Sequence, residues 1–177
     1  MPRTTNARRL ALETAGRLFR TQGYAATGLT QILEESGAPK GSFYFHFPGG
    51  KLQVAHEVLE AYGAQVTAGM TVLAHRFADN PKGFVTGLCN GAAREMQAAN
   101  WGIGCAAQNL ANELAPSHAD VATRIAAIFE AWSLVAADVL GDRAKGIALV
   151  AALEGARTLA RVSRSRAPFD AVADQFG

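Results

Sequence analysis

The chain has 177 residues, 49% of them hydrophobic and 18% charged, which is enough apolar material for one globular core or two small ones and excludes a disordered chain. Seventeen Lys and Arg against fifteen Asp and Glu leave a formal charge of +2, so bulk charge by itself points to neither a nucleic-acid partner nor a membrane surface. The distribution is uneven: residues 1–51 hold seven basic groups (Arg3, Arg8, Arg9, Arg17, Arg20, Lys40, Lys51) against three acidic ones (Glu13, Glu34, Glu35), a surplus of +4, and the remainder sums to −2. That asymmetry suggests a basic N-terminal module on a neutral or slightly acidic body.

Apolar residues recur at helical spacing almost everywhere, with little period-two alternation, so the expected fold class is all-α. In the first segment Leu10, Ala11, Ala15, Leu18 and Phe19 share a face, and Gly23 ends the helix. Thr27 is positioned to cap a short second helix with Leu29, Ile32 and Leu33 inward, and Gly37 stops it. Pro39 opens a third, aromatic-rich segment bounded by Pro48-Gly49-Gly50.

From Lys51 one long amphipathic helix runs through Val54, Val58, Leu59, Tyr62, Val66 and Met70 to about Phe77. Asn80-Pro81 restarts a helix to about Ala99, and the run Asn100-Trp101-Gly102-Ile103-Gly104 breaks it. A short piece reaches Leu114 and is closed by Pro116. Ser117 is then the expected cap of a helix carrying Val121, Ile125, Ile128, Phe129, Trp132, Val135 and Val139, which Gly141-Asp142 ends. The last long helix carries Ile147, Leu149, Val150, Leu153, Ala156, Leu159 and Val162, and Pro168 starts a final short one. The chain shows no internal repeat and no low-complexity tract.

Two cysteines, Cys89 and Cys105, make no disulfide framework and no Cys-x-x-Cys pair, which fits a reducing compartment. The N-terminal run lacks the apolar stretch of a secretory signal, and no segment reaches the roughly 18 uninterrupted apolar residues of a spanning helix. A cytoplasmic protein without a membrane role is expected. Catalytic and cofactor motifs are missing too. Gly102-Ile103-Gly104-Cys105-Ala106-Ala107 matches a dinucleotide fingerprint, but no strand precedes it. The four histidines are scattered, and neither a zinc helix, a di-iron pair, a nucleophile elbow nor a phosphate-binding loop occurs. No metal, cofactor or enzymatic activity is expected.

Two short helices joined by a glycine-containing turn, after a third packing helix, follow the helix-turn-helix plan. The residues narrow it. Gly23-Tyr24-Ala25-Ala26-Thr27, Ile32-Leu33, Gly37-Ala38-Pro39-Lys40-Gly41-Ser42-Phe43-Tyr44-Phe45-His46-Phe47 and Lys51 together resemble the DNA-binding domain of the TetR (tetracycline-repressor) family. Gly-Ser-Phe-Tyr-Phe-His-Phe-Pro-Gly-Gly-Lys, and later Gly104-Cys105 with Glu113, resemble its LmrA/YxaF-like branch. Ala38 and Leu52 depart from the commoner valine and acidic residue of the family pattern; neither removes a DNA-facing group. The resemblance is strong over about the first sixty residues.

Physical chemistry supports the role residue by residue. Thr27 at a helix N-terminus offers a hydroxyl and backbone N–H groups to a phosphate, although a simple cap has the same pattern. Pro39 opens the recognition helix. Lys40, in its first turn, can donate to guanine O6 or N7 in the major groove. Gly41 lets the backbone approach the bases, at about 1 kcal/mol of helix propensity. Ser42 and Tyr44 carry hydroxyls for phosphate or base, while Phe43 and Phe47 should face the core. Phe45 and His46 suit either DNA contact or packing under the next helix. Lys51 is expected on a phosphate.

In the body, Phe84, Met96, Trp101, Cys105, Phe129 and Trp132 are the candidate lining of an apolar ligand pocket, against the alternative that each is ordinary core. Cys105 has no flanking cation and reads as packing rather than as a sensor. The resemblance implies a reader at residues 1–50 and a ligand-binding, dimerising body at 51–177. It further implies a homodimeric regulator, a repressor freed from a palindromic double-stranded DNA operator by a small apolar or aromatic effector. The alternative is a helical small-molecule-binding protein or enzyme with no DNA role.

Overall fold

The helical periodicity is realised along the whole computed structural model, which describes the backbone of residues 3–176 and the side chains of 6–176; Arg3, counted in the basic surplus, has its side chain outside the described residues. The order is α1 (Arg3–Gln22), α2 (Leu29–Ser36), α3 (Lys40–His46), α4 (Gly50–Arg76), α5 (Pro81–Ala98), α6 (Ala106–Leu114), α7 (Ala119–Leu140), α8 (Arg143–Ser163) and α9 (Ala167–Phe176). Among the described residues there is no strand, so the fold is all-α as expected. No described helix is long and apolar enough to cross a membrane.

The expected glycine stops hold, Gly23 (φ +85°) after α1 and Gly37 (φ +64°) after α2, but the N-caps lie elsewhere than at the expected Thr27 and Ser117. Asn80 accepts from Gly83 N at 2.8 Å to start α5, and Asp142 accepts from Lys145 N at 2.8 Å to start α8. Thr27, however, does not cap α2. The N-cap is Gly28, with no side-chain bond, because the Thr27 hydroxyl is turned back onto Gly23 O at 2.6 Å. Ser117 likewise does not cap α7: its Oγ lies 2.9 Å from His118 Nδ1, and His118 O accepts the first helical bond, from Ala122 N.

Packing divides the chain into two compact units. The first comprises the residues up to Tyr62 with Ala106–Arg124; the second comprises Gly63–Cys105 with Ile125 onward. This partition by packing differs in kind from the functional boundary expected at residue 50.

In the first unit Ala11, Ala15, Leu18 and Phe19 of α1, Ile32 of α2, Phe43 and Phe47 of α3, and Val54, Ala55 and Val58 of α4 form the core. Phe43 and Phe47 lie 4.9 Å apart between ring centroids, and each full burial of such a side chain stabilises by about 1.5–3 kcal/mol. Arg8 donates to Glu57 at 2.5 Å, with its guanidinium 5.7 Å from the Phe47 ring, and Arg17 pairs with Glu35 across α1 and α2. His56 meets Asp120 at 2.9 Å.

In the second unit α5, α8 and α9 pack together around Phe84, Val85, Cys89, Leu149, Val150, Ala156 and Phe169. Gly146 of α8 permits close contact with α7. A Cβ there would press into Ser133 O and lie 2.8 Å from Ala137 N, so no other residue fits without moving a backbone.

Candidate DNA-reading interface

The backbone between α1 and α2 poses a problem of hydrogen-bond supply, since the helical ladder of neither helix extends into the turn that separates them. Gly23 bends the chain with φ +85°, a left-handed conformation that glycine adopts without strain. Several of the polar groups that follow find partners. Thr27 N donates to Tyr24 O at 3.1 Å, the Thr27 hydroxyl to Gly23 O, and Gln22 Nε2 to Ala26 O at 2.8 Å. Two further partners come from distant helices. Lys51 Nζ of α4 donates to Tyr24 O and Thr27 O, both at 2.9 Å, and the Glu113 carboxylate of α6 accepts from Tyr24 N at 2.8 Å and from Ala25 N at 2.6 Å.

Lys51 Nζ also sits 4.0 Å from the Tyr24 ring centroid, a cation–π distance. Burial pulls the Lys51 ammonium below the ordinary lysine value, opposed by the Glu113 carboxylate. Burial raises the Tyr24 phenol. One turn before Glu113 on α6, Asn109 Nδ2 donates to Phe19 O at 2.9 Å and to Arg20 O at 3.3 Å, closing the carbonyl end of α1.

This geometry revises two sequence expectations. Thr27 is completely buried with its hydroxyl committed to Gly23 O, so it presents no hydroxyl to a phosphate. Lys51 does not project as a free phosphate-binding cation: two of its three donors serve the turn. Glu113 was visible only by resemblance. Asn109 carried no signal, because its partners lie about ninety residues earlier.

α3 carries the other expected residues. Pro39 is its N-cap and is exposed, and Ser36 Oγ accepts from Ala38 N at 3.2 Å in the preceding turn. Phe43 and Phe47 are buried, which turns Lys40, Gly41, Tyr44 (45% exposed) and Phe45 (79% exposed) outward. Gly41 has open space where a Cβ would stand, so internal packing does not require a glycine there. Ser42 and His46, one turn apart, are half-buried; Ser42 Oγ and His46 Nε2 are enclosed without a hydrogen-bond partner. His46 stacks edge-on against Phe45 at 5.2 Å, and its carbonyl accepts from Gln53 Nε2 at 3.2 Å. On α2, Gln31 and then Arg17 hold the exposed Glu35 carboxyl below its ordinary value.

The six candidate ligand-pocket residues all belong to the second unit. Phe84, Met96 and Cys105 are fully buried, Trp132 nearly so, and Trp101 and Phe129 half-buried. Phe129 and Trp132 meet edge to face at 5.3 Å, and Trp132 Nε1 points to Gly63 O at 3.5 Å. A cleft of about 360 Å³ in the same unit is lined by Thr71, Ala74, His75, Ala78, Val135, Asp138 and Val139, and by none of those six.

Residues 11–58 match the family model of bacterial regulatory proteins of the tetR family, and residues 81–175 match that of the transcriptional regulator LmrA/YxaF-like C-terminal domain. The chain therefore belongs to the TetR family, in its LmrA/YxaF-like branch, and is a DNA-binding transcriptional regulator rather than an enzyme.

An uncharacterized HTH-type transcriptional regulator of Mycobacterium tuberculosis is 31% identical over 175 residues, covering 92% of this chain and 88% of the relative. The HTH-type transcriptional regulator LmrA of Bacillus subtilis is 59% identical over 54 residues, a match that spans 30% of this chain and 29% of LmrA. The regulatory protein TetR from Rhodobacter sphaeroides shares the fold, with a TM-score of 0.83 at 22% identity over 96% of both chains.

Replacing Lys51 by Met keeps the stem but removes the ammonium from two carbonyls. Thermal unfolding should show a loss of about 1.5–3 kcal/mol, the range for hydrogen bonds to charged groups. A variant as stable as the wild type, with a lower salt slope of DNA binding, would return Lys51 to the phosphate backbone.

Proposed function

We propose that this regulator is a ligand-responsive repressor, binding a palindromic operator as a homodimer through residues 1–50 and releasing it when a small apolar or aromatic effector enters the body at 51–177. The outward face of α3 is the observation that carries the DNA half. Two phenylalanines anchor the helix while Lys40, Gly41, Tyr44 and Phe45 stand in solvent beside the exposed Pro39. A large exposed aromatic and a glycine with no packing reason both oppose folding economy, and both suit a surface that approaches base edges. Ser42 and His46 complete the face, and their unpartnered atoms supply polar capacity for groove or phosphate contacts after a rotamer change. Thr27 and Lys51 are left out of the contact set and act through the turn.

For sequence reading, Lys40→Ala should lose roughly 1–3 kcal/mol on a duplex selected by the wild type from a randomised pool, and only a small part of that on unselected duplex. Equal losses on both would assign Lys40 to the phosphates.

The homodimer is supported by an unpartnered stripe on α8. Ile147, Ala148, Ala151, Gly155, Leu159 and Val162 (82% exposed) are all turned to solvent at helical spacing, and a Cβ on Gly155 would meet nothing. A two-fold axis through such a face lets small residues bring two helices close together. The paired recognition helices then need to lie about 34–36 Å apart to enter successive major grooves. Leu159→Arg combined with Val162→Arg should sediment as a monomer with unchanged helicity and bind the selected duplex at least about tenfold more weakly. A stable dimer of that double variant would move the interface elsewhere.

The effector is proposed to sit among Phe84, Met96, Trp101, Cys105, Phe129 and Trp132. Because most of these are buried, a ligand there enters by parting helices, and its binding energy is available to favour an arrangement that does not fit DNA. A compound that dissociates the wild-type complex should change tryptophan emission, and Trp132→Ala should blunt release without altering ligand-free DNA affinity. Silent tryptophans with normal release would direct the search to the cleft beside His75 and Asp138.

A further inference from the structure

We propose that Glu113, outside the helix-turn-helix, is a positioning residue of the DNA reader: from α6 it caps the amides of Tyr24 and Ala25 and so holds the turn that seats α2 and α3. The inference rests on the DNA-reading role of α3. It stands on three observations within one compact unit. The carboxylate takes one amide on each oxygen, at 2.8 Å from Tyr24 N and 2.6 Å from Ala25 N, an arrangement that only an acceptor with two oxygens provides. The carboxylate occupies a space that Gly23 leaves open: a Cβ on that residue would overlap Glu113 Oε1 and lie 3.3 Å from its Cδ. Lys51 closes the opposite polarity of the same turn, its ammonium on the carbonyls of Tyr24 and Thr27.

The turn is therefore held between an anion from α6 and a cation from α4, and neither charge belongs to the two helices that the turn connects. Asn109 extends the grip to the last carbonyls of α1, and since it lies one helical turn from Glu113, a shift of α6 disturbs both attachments together. Ala26 and Thr27 lead directly to Gly28 and α2, so loosening Tyr24 and Ala25 alters the angle at which α2 leaves α1. That angle carries α3 with it, through Ser36 and Ala38.

The sign of the effect separates this role from that of an ordinary surface carboxylate. Removing a negative charge from the reader's own unit strengthens binding to a polyanion by simple electrostatics. Removing a positioning group weakens it. Full-length Glu113→Gln keeps the side chain's size and removes the charge, leaving one carbonyl oxygen for two amides. It should lose native-state exchange protection at Tyr24 and Ala25, and bind the duplex selected by the wild type about tenfold more weakly, with the salt slope unchanged because no phosphate contact is lost. Glu113→Asp keeps the charge but retracts the carboxylate by one methylene, and should show the same two losses; it carries the test if the Gln variant does not fold.

Affinity equal to or above that of the wild type would overturn the proposal, whatever the exchange data. So would weakened binding with both amides still protected. Wild-type protein that selects no duplex at all would instead defeat the DNA-reading assignment. A wild type that binds tightly alongside an equally tight Glu113→Gln defeats only the role of Glu113.

Discussion

The five residues from Gly23 to Thr27 connect two helices at a bend, and a bend of this kind strands amides and carbonyls that helical geometry cannot satisfy. A buried backbone group left without a partner costs about 1–3 kcal/mol; here Gly23 and Thr27 are buried and Tyr24 half-buried, while Ala25 and Ala26 are exposed. The chain meets that demand with side chains of opposite charge. Lys51 takes the carbonyls of Tyr24 and Thr27, Glu113 takes the amides of Tyr24 and Ala25, and the Thr27 hydroxyl donates to the carbonyl of Gly23 at the start. α1 supplies the platform, α4 and α6 supply the charges, and the position of α2 and α3 follows from the turn that those charges hold.

α3 is short, at seven residues, and would not be helical alone. Tertiary contacts stabilise it: Phe43 and Phe47 enter the core, and the Gln53 side chain donates to the carbonyl of His46, the last residue of the helix, while accepting from Gly49 N just beyond it. Burial of one face fixes what the other displays. Tyr44 and Phe45 face water because Phe43 and Phe47 do not. Ser42 Oγ and His46 Nε2, enclosed and unpaired, lie at the border between the two faces.

The body is organised by different forces. Small residues let helices pack closely, as where Gly146 of α8 rests against Ser133 and Ala137 of α7, while Phe84 and Trp132 are buried and Trp101 and Phe129 half-buried. Cys89 illustrates how inert this interior is, its thiol pushed up to about 11, chiefly by burial. Along α8 the same economy fails: branched apolar side chains remain in water at regular spacing, which is consistent with a surface that another chain covers.

Much of this architecture was legible in the amino-acid order. Apolar spacing together with proline and glycine punctuation locates nearly every helix, because these signals act within one or two turns of the chain. The recognition helix and its inward phenylalanines were readable for the same reason. What the sequence could not assign was the use of individual polar groups. Thr27 and Lys51 have the chemistry of phosphate ligands, and from local pattern they look like two; three-dimensional packing turned both toward the carbonyls of a turn instead. Glu113 meets that turn, and Asn109 the end of α1, only after the chain has passed through α4 and α5. A hydrogen bond across about ninety residues leaves no periodicity to detect, so the carbonyls and amides these side chains serve were decided by tertiary structure alone.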